Sequence, residues 1–209
     1  DLAYEVEAWN PMNAPLGKAP VVVMDGVVIA DSSIIVHEVA SRAGVDLDGA
    51  LPTRDRAMAR ALTRVLEEHT YWALLYIRWI DDAGWRAYRP IIGGSMPMPG
   101  VFQGAMADYL RRGVRKSCWA HGLTRHAPEQ IHARASEDLD ALSAFLADRA
   151  FLGGAAPCSF DASASAFLEQ LAHPLVANPT RDRLVNDPVL VGYLQRMRER
   201  AWPDRSFPA

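Results

Sequence analysis

The stretch from Thr53 to Asp82 contains neither Gly nor Pro, and that uninterrupted run constrains the fold more than any other feature of the chain. Its apolar residues Met58, Leu62, Val65, Leu66, Trp72, Tyr76 and Trp79 recur at helical intervals, which predicts one long helix or two collinear ones. A Gly/Pro/Met-rich break from Pro90 to Gly100 separates it from a second helical run containing Phe102, Met106, Tyr109, Leu110, Val114 and Cys118. A third run starts at Pro128, a residue suited to the first helical position, and carries Ile131, Ala135, Leu139, Leu142 and Leu146. Phe151-Leu152-Gly153-Gly154 reads as a turn, Asp161 to Leu171 as a short buried helix, and Asp187-Pro188 as the start of a last helix through Leu190, Leu194 and Met197.

The residues before Leu51-Pro52 have a different character. Tyr4 to Trp9 alternates in the period-two manner of a half-buried strand, and Asn10 to Pro20 is dense in turn residues. Val21-Val22-Val23-Met24 and Val27-Val28-Ile29-Ala30 flank Asp25-Gly26, a dipeptide that tolerates positive φ at both turn positions, so a tight hairpin is expected. Asp31-Ser32-Ser33 then precedes Ile34, Ile35, Val39 and Ala43 at helical spacing, with Asp31 or a serine as the cap and Gly44 as the stop. The chain therefore divides near Gly49 to Thr53 into an α/β unit, residues 1–48, and an all-helical unit, residues 53–209.

Composition excludes several functions. Half of the 209 residues are apolar and 22% are charged, an ordinary globular balance. A net charge of −3 gives no broad basic field for nucleic acid or anionic lipid. No apolar run reaches about 18 residues. The start Asp1-Leu2-Ala3-Tyr4 lacks the order of a signal peptide, so the protein is read as cytoplasmic. Cys118 and Cys158 are too few for a disulfide framework and lack zinc-site spacing; both are expected as buried thiols.

The succession of loop, Lys18-Ala19-Pro20, Asp-Gly hairpin and Asp31-Ser32-Ser33-Ile34 resembles the second half of the thioredoxin-like domain of glutathione transferases. The helical part resembles that family's C-terminal domain through Tyr71-Trp72 to Arg78-Trp79, Phe151-Leu152-Gly153-Gly154, and Cys158-Ser159-Phe160-Asp161-Ala162. Together these passages are similar to the failed-axon-connections and metaxin-like branch. The resemblance implies a glutathione transferase fold with a truncated thioredoxin-like domain, its first strand and helix lying before Asp1. It places the Tyr, Ser or Cys that activates glutathione sulfur there as well, so no catalytic residue is assigned. The family's capping box of Ser or Thr followed by Asp is here Cys158 with Asp161, which predicts a cap weakened or taken over by Ser159.

A glutathione site needs an anion-binding helix start, an acid for the α-ammonium and a strand edge. The start of the helix at Ser32 and its hydroxyl would take the γ-glutamyl carboxylate, and Asp31 the ammonium. The resemblance further implies a cis Ala19–Pro20 bond whose Ala19 peptide groups pair with the cysteinyl part, and Lys18 near the glycyl carboxylate. Trp72, Tyr76 and Trp79 share one helix face; they read as core, or as the wall of an apolar substrate pocket in that family. Arg78 is expected to pair with Asp81 or Asp82. Glu67-Glu68-His69 reads as a polar helix face, and Arg111, Arg112, Arg115 and Lys116 as a solvated basic run. His121 and His126, five residues apart, do not make a metal site, and no metal is expected.

The leading reading is conjugation of the glutathione thiol to a small apolar electrophile by a homodimer. A non-catalytic adaptor of the same shape is the alternative, and a glutathione-dependent reductase or dehalogenase a further one.

Overall fold

The Asp-Gly hairpin is the local element from which the rest of the first unit follows. Asp25 and Gly26 both have positive φ, 50° and 78°, the backbone twist that joins two antiparallel strands through a two-residue turn. The strands are β1 (Val21–Met24) and β2 (Val27–Ala30), in register Val21↔Ala30 through Met24↔Val27. Helix α1 (Ser32–Arg42) starts two residues after β2, and its last residue, Arg42, binds the carboxylates of Glu38 and of Asp25 at the hairpin tip. The structure, a computed structural model, describes residues 3–7, 14–96 and 98–203.

A hairpin and one helix bury little. Val23, Val27, Val28 and Ile34 remain exposed, and Ile35 is the buried residue of α1. Two strands without further cover are marginal in water, so the unit depends on the helices it leans against. The strand expected at Tyr4 to Trp9 is not found. Residues 3–7 have no regular secondary structure and are exposed, while Ala8 and Trp9 lie outside the described residues, as do Asn10 to Asn13 of the expected loop. Alternation alone makes no strand where no neighbouring strand accepts its hydrogen bonds.

The helical unit opens with the predicted long helix, interrupted twice by π-helical turns: α2 (Thr53–Val65), a π turn at Leu66–Thr70, α3 (Tyr71–Leu75) and a second π turn at Tyr76–Ile80. Asp81 ends it by turning extended, and its carboxylate caps α4 (Asp82–Gly94) by accepting from the N–H of Gly84 at 2.7 Å. Gly84 is required there, because a Cβ would stand 1.8 Å from the carbonyl oxygen of Ile77. The expected break at Pro90 is instead helical. Helix α4 runs through Pro90 because tertiary packing overrides the local preference: it lies along α5 (Gly100–His121), and Arg89 grips Asp108 with two hydrogen bonds of 2.9 and 2.8 Å. The remaining helices are α6 (Pro128–Leu146), α7 (Ser159–Ala172), α8 (Pro179–Val185) and α9 (Pro188–Ala201), with a 3-10 turn at Leu123–Arg125.

Arg78 and Arg111 depart from expectation. Arg78 donates to Gln170 at 2.8 Å rather than to Asp81 or Asp82. Asp82 is engaged by Arg111, whose guanidinium also donates to the carbonyls of Trp79 (2.7 Å) and Ile80 (2.9 Å) and so satisfies the end of the second π turn.

The core sits among the helices, with Leu66, Ile131, Leu139, Leu142, Leu168, Leu190 and Tyr193 almost wholly buried. Within it lies Asp161, with no exposed surface. Its carboxylate accepts from the N–H of Leu152 (2.9 Å), Gly153 (3.3 Å) and Cys158 (2.8 Å), from the Cys158 thiol (3.2 Å) and from the Tyr193 hydroxyl (2.9 Å). The Asp161 half of the capping box is therefore intact. Ser159 does not take the cap over; its N–H and hydroxyl instead donate to the Asp48 carboxylate, at 2.9 and 2.8 Å.

Replacing Asp161 with Ala orphans several buried donors, each costing about 1–3 kcal/mol. Urea unfolding should show Asp161→Ala destabilised by at least about 3 kcal/mol and Tyr193→Phe by about 1 kcal/mol; an Asp161→Ala loss below about 1 kcal/mol would refute the assignment. Burial pushes the Cys118 thiol up to about 11, and burial with the neighbouring Asp161 pushes Cys158 up to about 12. At pH 8 neither thiol should react with a disulfide reagent in the native protein, and both should react in denaturant; rapid native labelling of either would contradict the burial.

Candidate functional site

The hairpin register brings the two halves of the expected site together. Because Val21 pairs with Ala30, the next residues outward, Pro20 and Asp31, flank the same end of the ladder. The Ala19–Pro20 peptide bond is cis. Lys18, Ala19, Pro20, Asp31 and Ser32 are all exposed around this end.

Asp31 adopts φ 79°, an unusual conformation for a residue with a side chain, and it serves as the cap of α1. Its Oδ1 accepts from the N–H of Ser33 (3.0 Å), the hydroxyl of Ser33 (2.5 Å) and the N–H of Ile34 (3.4 Å). The Ser33 hydroxyl, with these N–H groups, holds the Asp31 carboxyl below its usual range. The cap is therefore fully present above the ordinary carboxylate range and is lost only as pH falls through the lowered value. This refines the expected division of labour: the N–H groups of Ser33 and Ile34 are occupied by Asp31. The Ser32 hydroxyl and the Asp31 Oδ2 make no hydrogen bond among the described residues.

From Ser32 and Ser33 a cleft of about 580 Å³ runs along α1 toward the helical unit, a volume in the range of small-molecule sites. One wall is α1, with Val36, His37 and Ala40. The opposite wall combines Arg60, Arg64 and Glu67 of α2 and its π turn with Ser159, Phe160 and Ser163 of α7. Arg64 and Glu67 form an ion pair at 2.7 Å, and Ser163 donates to the other Glu67 oxygen at 3.1 Å. Arg60 lies over the Phe160 ring at 5.8 Å and has no carboxylate partner among the described residues. Asp48 closes the cleft by joining the segment after α1 to the start of α7.

Sequence reasoning missed this second wall. The polar stripe Arg60, Thr63, Arg64 and Glu67 has helical spacing and was legible as one face of α2. Its pairing with Ser159, Phe160 and Ser163, about a hundred residues away, has no local signal.

Trp72, Tyr76 and Trp79 do not line this cleft. Tyr76 is buried in the helical core with its ring edge on His132, at 5.9 Å. Trp72 stacks on His121 at 4.3 Å, and Trp79 stacks on Trp85 and meets Tyr88 edge-on, both at 5.4 Å. Among the described residues no group of three His, Cys, Asp or Glu side chains is arranged to hold a metal ion.

Comparison with known proteins agrees with this architecture. Residues 1–84 match the family described as Glutathione S-transferase N-terminal domain, and residues 135–197 match Glutathione S-transferase, C-terminal domain. The chain is 34% identical over 190 residues to the isoprene-epoxide–glutathione S-transferase of Rhodococcus sp. (strain AD45), a match covering 90% of this chain and 79% of that protein. It is 30% identical over 224 residues to Failed axon connections of Drosophila melanogaster, covering 97% of this chain and 51% of the fly protein. No solved structure matches. An Asp-capped helix beside a cis-proline hairpin, followed by a helical unit built on a buried Asp161, thus accompanies similarity along most of the sequence, and the chain belongs to the glutathione S-transferase family.

Proposed function

We propose that the chain binds glutathione at the outer end of the hairpin and transfers its thiol to a small electrophile in the adjoining cleft. The observation that carries this reading is the register: it sets Pro20 beside Asp31, whose Oδ2 is without a partner among the described residues, next to Ser32, which lines the cleft. Asp31 takes the α-ammonium of the γ-glutamyl group and the Ser32 hydroxyl its carboxylate. The Ala19 peptide groups pair with the cysteinyl backbone, and Lys18 meets the glycyl carboxylate. The sulfur is thereby directed to the cleft between α1, α2 and α7.

The Rhodococcus relative is named for isoprene epoxide, and a small epoxide is the electrophile class proposed here. The thiolate attacks an epoxide carbon, a C–S bond forms as the C–O bond breaks, and the resulting alkoxide takes a proton from water. Residues 1–48 form the glutathione-binding unit in this reading and residues 53–209 the helical one, in a cytoplasmic homodimer. The aromatic residues Trp72, Tyr76 and Trp79 act in it as packing within the helical unit, away from the cleft, rather than as substrate contacts. The second reading, a non-catalytic binding module, rests on the similarity to Failed axon connections and on the exposed β1–β2 face.

The full-length protein should be retained on immobilised glutathione and should conjugate a small alkene epoxide or chlorodinitrobenzene; retention without turnover selects the binding module, and neither retention nor turnover removes the whole reading. Asp31→Asn keeps a cap acceptor while removing the charge, so it should leave the helical circular dichroism unchanged and weaken glutathione binding by about ten- to a hundredfold, the worth of a charged hydrogen bond. Unchanged affinity in this variant would exclude Asp31 from the site.

A further inference from the structure

A second hollow, of about 430 Å³, is lined by none of the residues of the Ser32 cleft. Its polar lining is His69, His121, Arg125, His126 and Arg134. The first π turn builds one side of it. In a regular helix consecutive side chains diverge by about 100°, yet His69 and Thr70 both reach one oxygen: Asp138 Oδ2 lies 2.6 Å from His69 Nδ1 and 2.7 Å from the Thr70 hydroxyl. The Asp138 side chain is 12% exposed. It fixes Nδ1 of His69 as a donor and leaves Nε2 as the ring's open nitrogen. Single-turn π segments of this kind are frequent where a helix must re-aim a side chain for a ligand.

The other side comes from the end of α5 and the start of α6. His121 is stacked flat on Trp72, at 4.3 Å and 13°, which fixes its ring. Burial, with His69 close by, moves His121 below the usual imidazole range. The fixed positive charge comes from Arg125 and Arg134. Arg125 donates its Nε to the Trp119 carbonyl at 2.9 Å and lies over the Trp119 ring at 5.5 Å. Neither arginine pairs with a carboxylate among the described residues. The acids nearby are Asp138, already engaged by His69 and Thr70, and Glu68, close to His121.

We infer that this hollow binds a small soluble phosphate monoester, with the Arg125 and Arg134 guanidinium groups on the phosphate and the His69 and His121 rings lining the space beside it. A phosphate monoester is close to a dianion at neutral pH and offers three acceptor oxygens, which matches two guanidinium forks. A carboxylate would satisfy one fork and leave the second charge uncompensated. The volume exceeds that of phosphate alone and leaves room for an organic part. The site is independent of the glutathione reading, since the two share no residue.

The full chain is titrated with glycerol 3-phosphate and, separately, inorganic phosphate, with chloride holding the ionic strength constant. Tryptophan fluorescence and histidine side-chain NMR report binding. Saturable binding of the monoester, with the His69 and His121 resonances moving, is expected. Arg134 is exposed, so Arg134→Ser should fold, checked by circular dichroism; it should weaken binding at least tenfold and leave retention on glutathione unchanged. Arg134→Lys, which keeps the charge but not the fork, should fall between the two. A linear response, an equal response to chloride, parent-like binding by Arg134→Ser, or binding only to vesicles containing phosphatidic acid would each overturn the assignment.

Discussion

The buried carboxylate of Asp161 is the interaction on which both units depend. A carboxylate with no exposed surface and no cation at hydrogen-bond distance is tolerated only if donors replace its lost water, and here they come from three separate places. Leu152 and Gly153 belong to the turn closed by the mutual backbone bonds of Phe151 and Gly154, Cys158 to the start of α7, and Tyr193 to the middle of α9. Satisfying one buried group therefore fixes where α7 begins. That position determines where Ser159, Phe160 and Ser163 stand, and they form a wall of the cleft.

Asp48 transmits that order to the smaller unit. The hairpin and α1 lack a core of their own, so their position is set by contacts outside them. Asp48 places its carboxylate on the N–H and hydroxyl of Ser159, at the positive end of α7, while its own carbonyl accepts from Arg56 of α2 at 2.5 Å. A single residue in the connecting segment thus meets two helices. The mouth of the cleft, set by Ser32, and its far wall, set by Asp161, are held at a fixed separation through it.

Much of this was legible where the chemistry is local. Asp25-Gly26 predicts the hairpin because its turn needs positive φ at two successive residues. Asp31-Ser32-Ser33 predicts the start of α1 because a short acidic side chain reaches the N–H groups two and three residues on. Pro128, Pro179 and Pro188 occupy first-turn positions for the same kind of reason, although α8 went unread because its seven residues are too few to display a period. Tertiary forces account for the rest. Pro90 looks like a terminator, yet α4 continues through it because α5 lies alongside and Asp108 binds Arg89. Tyr4 to Glu7 look like a strand, yet alternation is only half of what a strand requires. The meeting of Ser32 and Ser163 on one cleft, and the bond of His69 to Asp138, span distances along the chain over which no periodicity runs.

The π turn at Leu66–Thr70 carries the clearest case of sequence pattern and geometry diverging. Read as an α-helix, Glu67, Glu68 and His69 form an unremarkable polar face. Within the turn, Glu67 meets Arg64 and Ser163 on the Ser32 cleft, while His69 and Thr70 share Asp138 on another side of the bundle. Hydrophobic spacing before and after the turn stays in phase with the core, as buried Leu62, Leu66, Thr70, Ala73 and Leu74 show. The turn thus leaves the apolar burial of the long helix continuous while its polar residues serve two different faces.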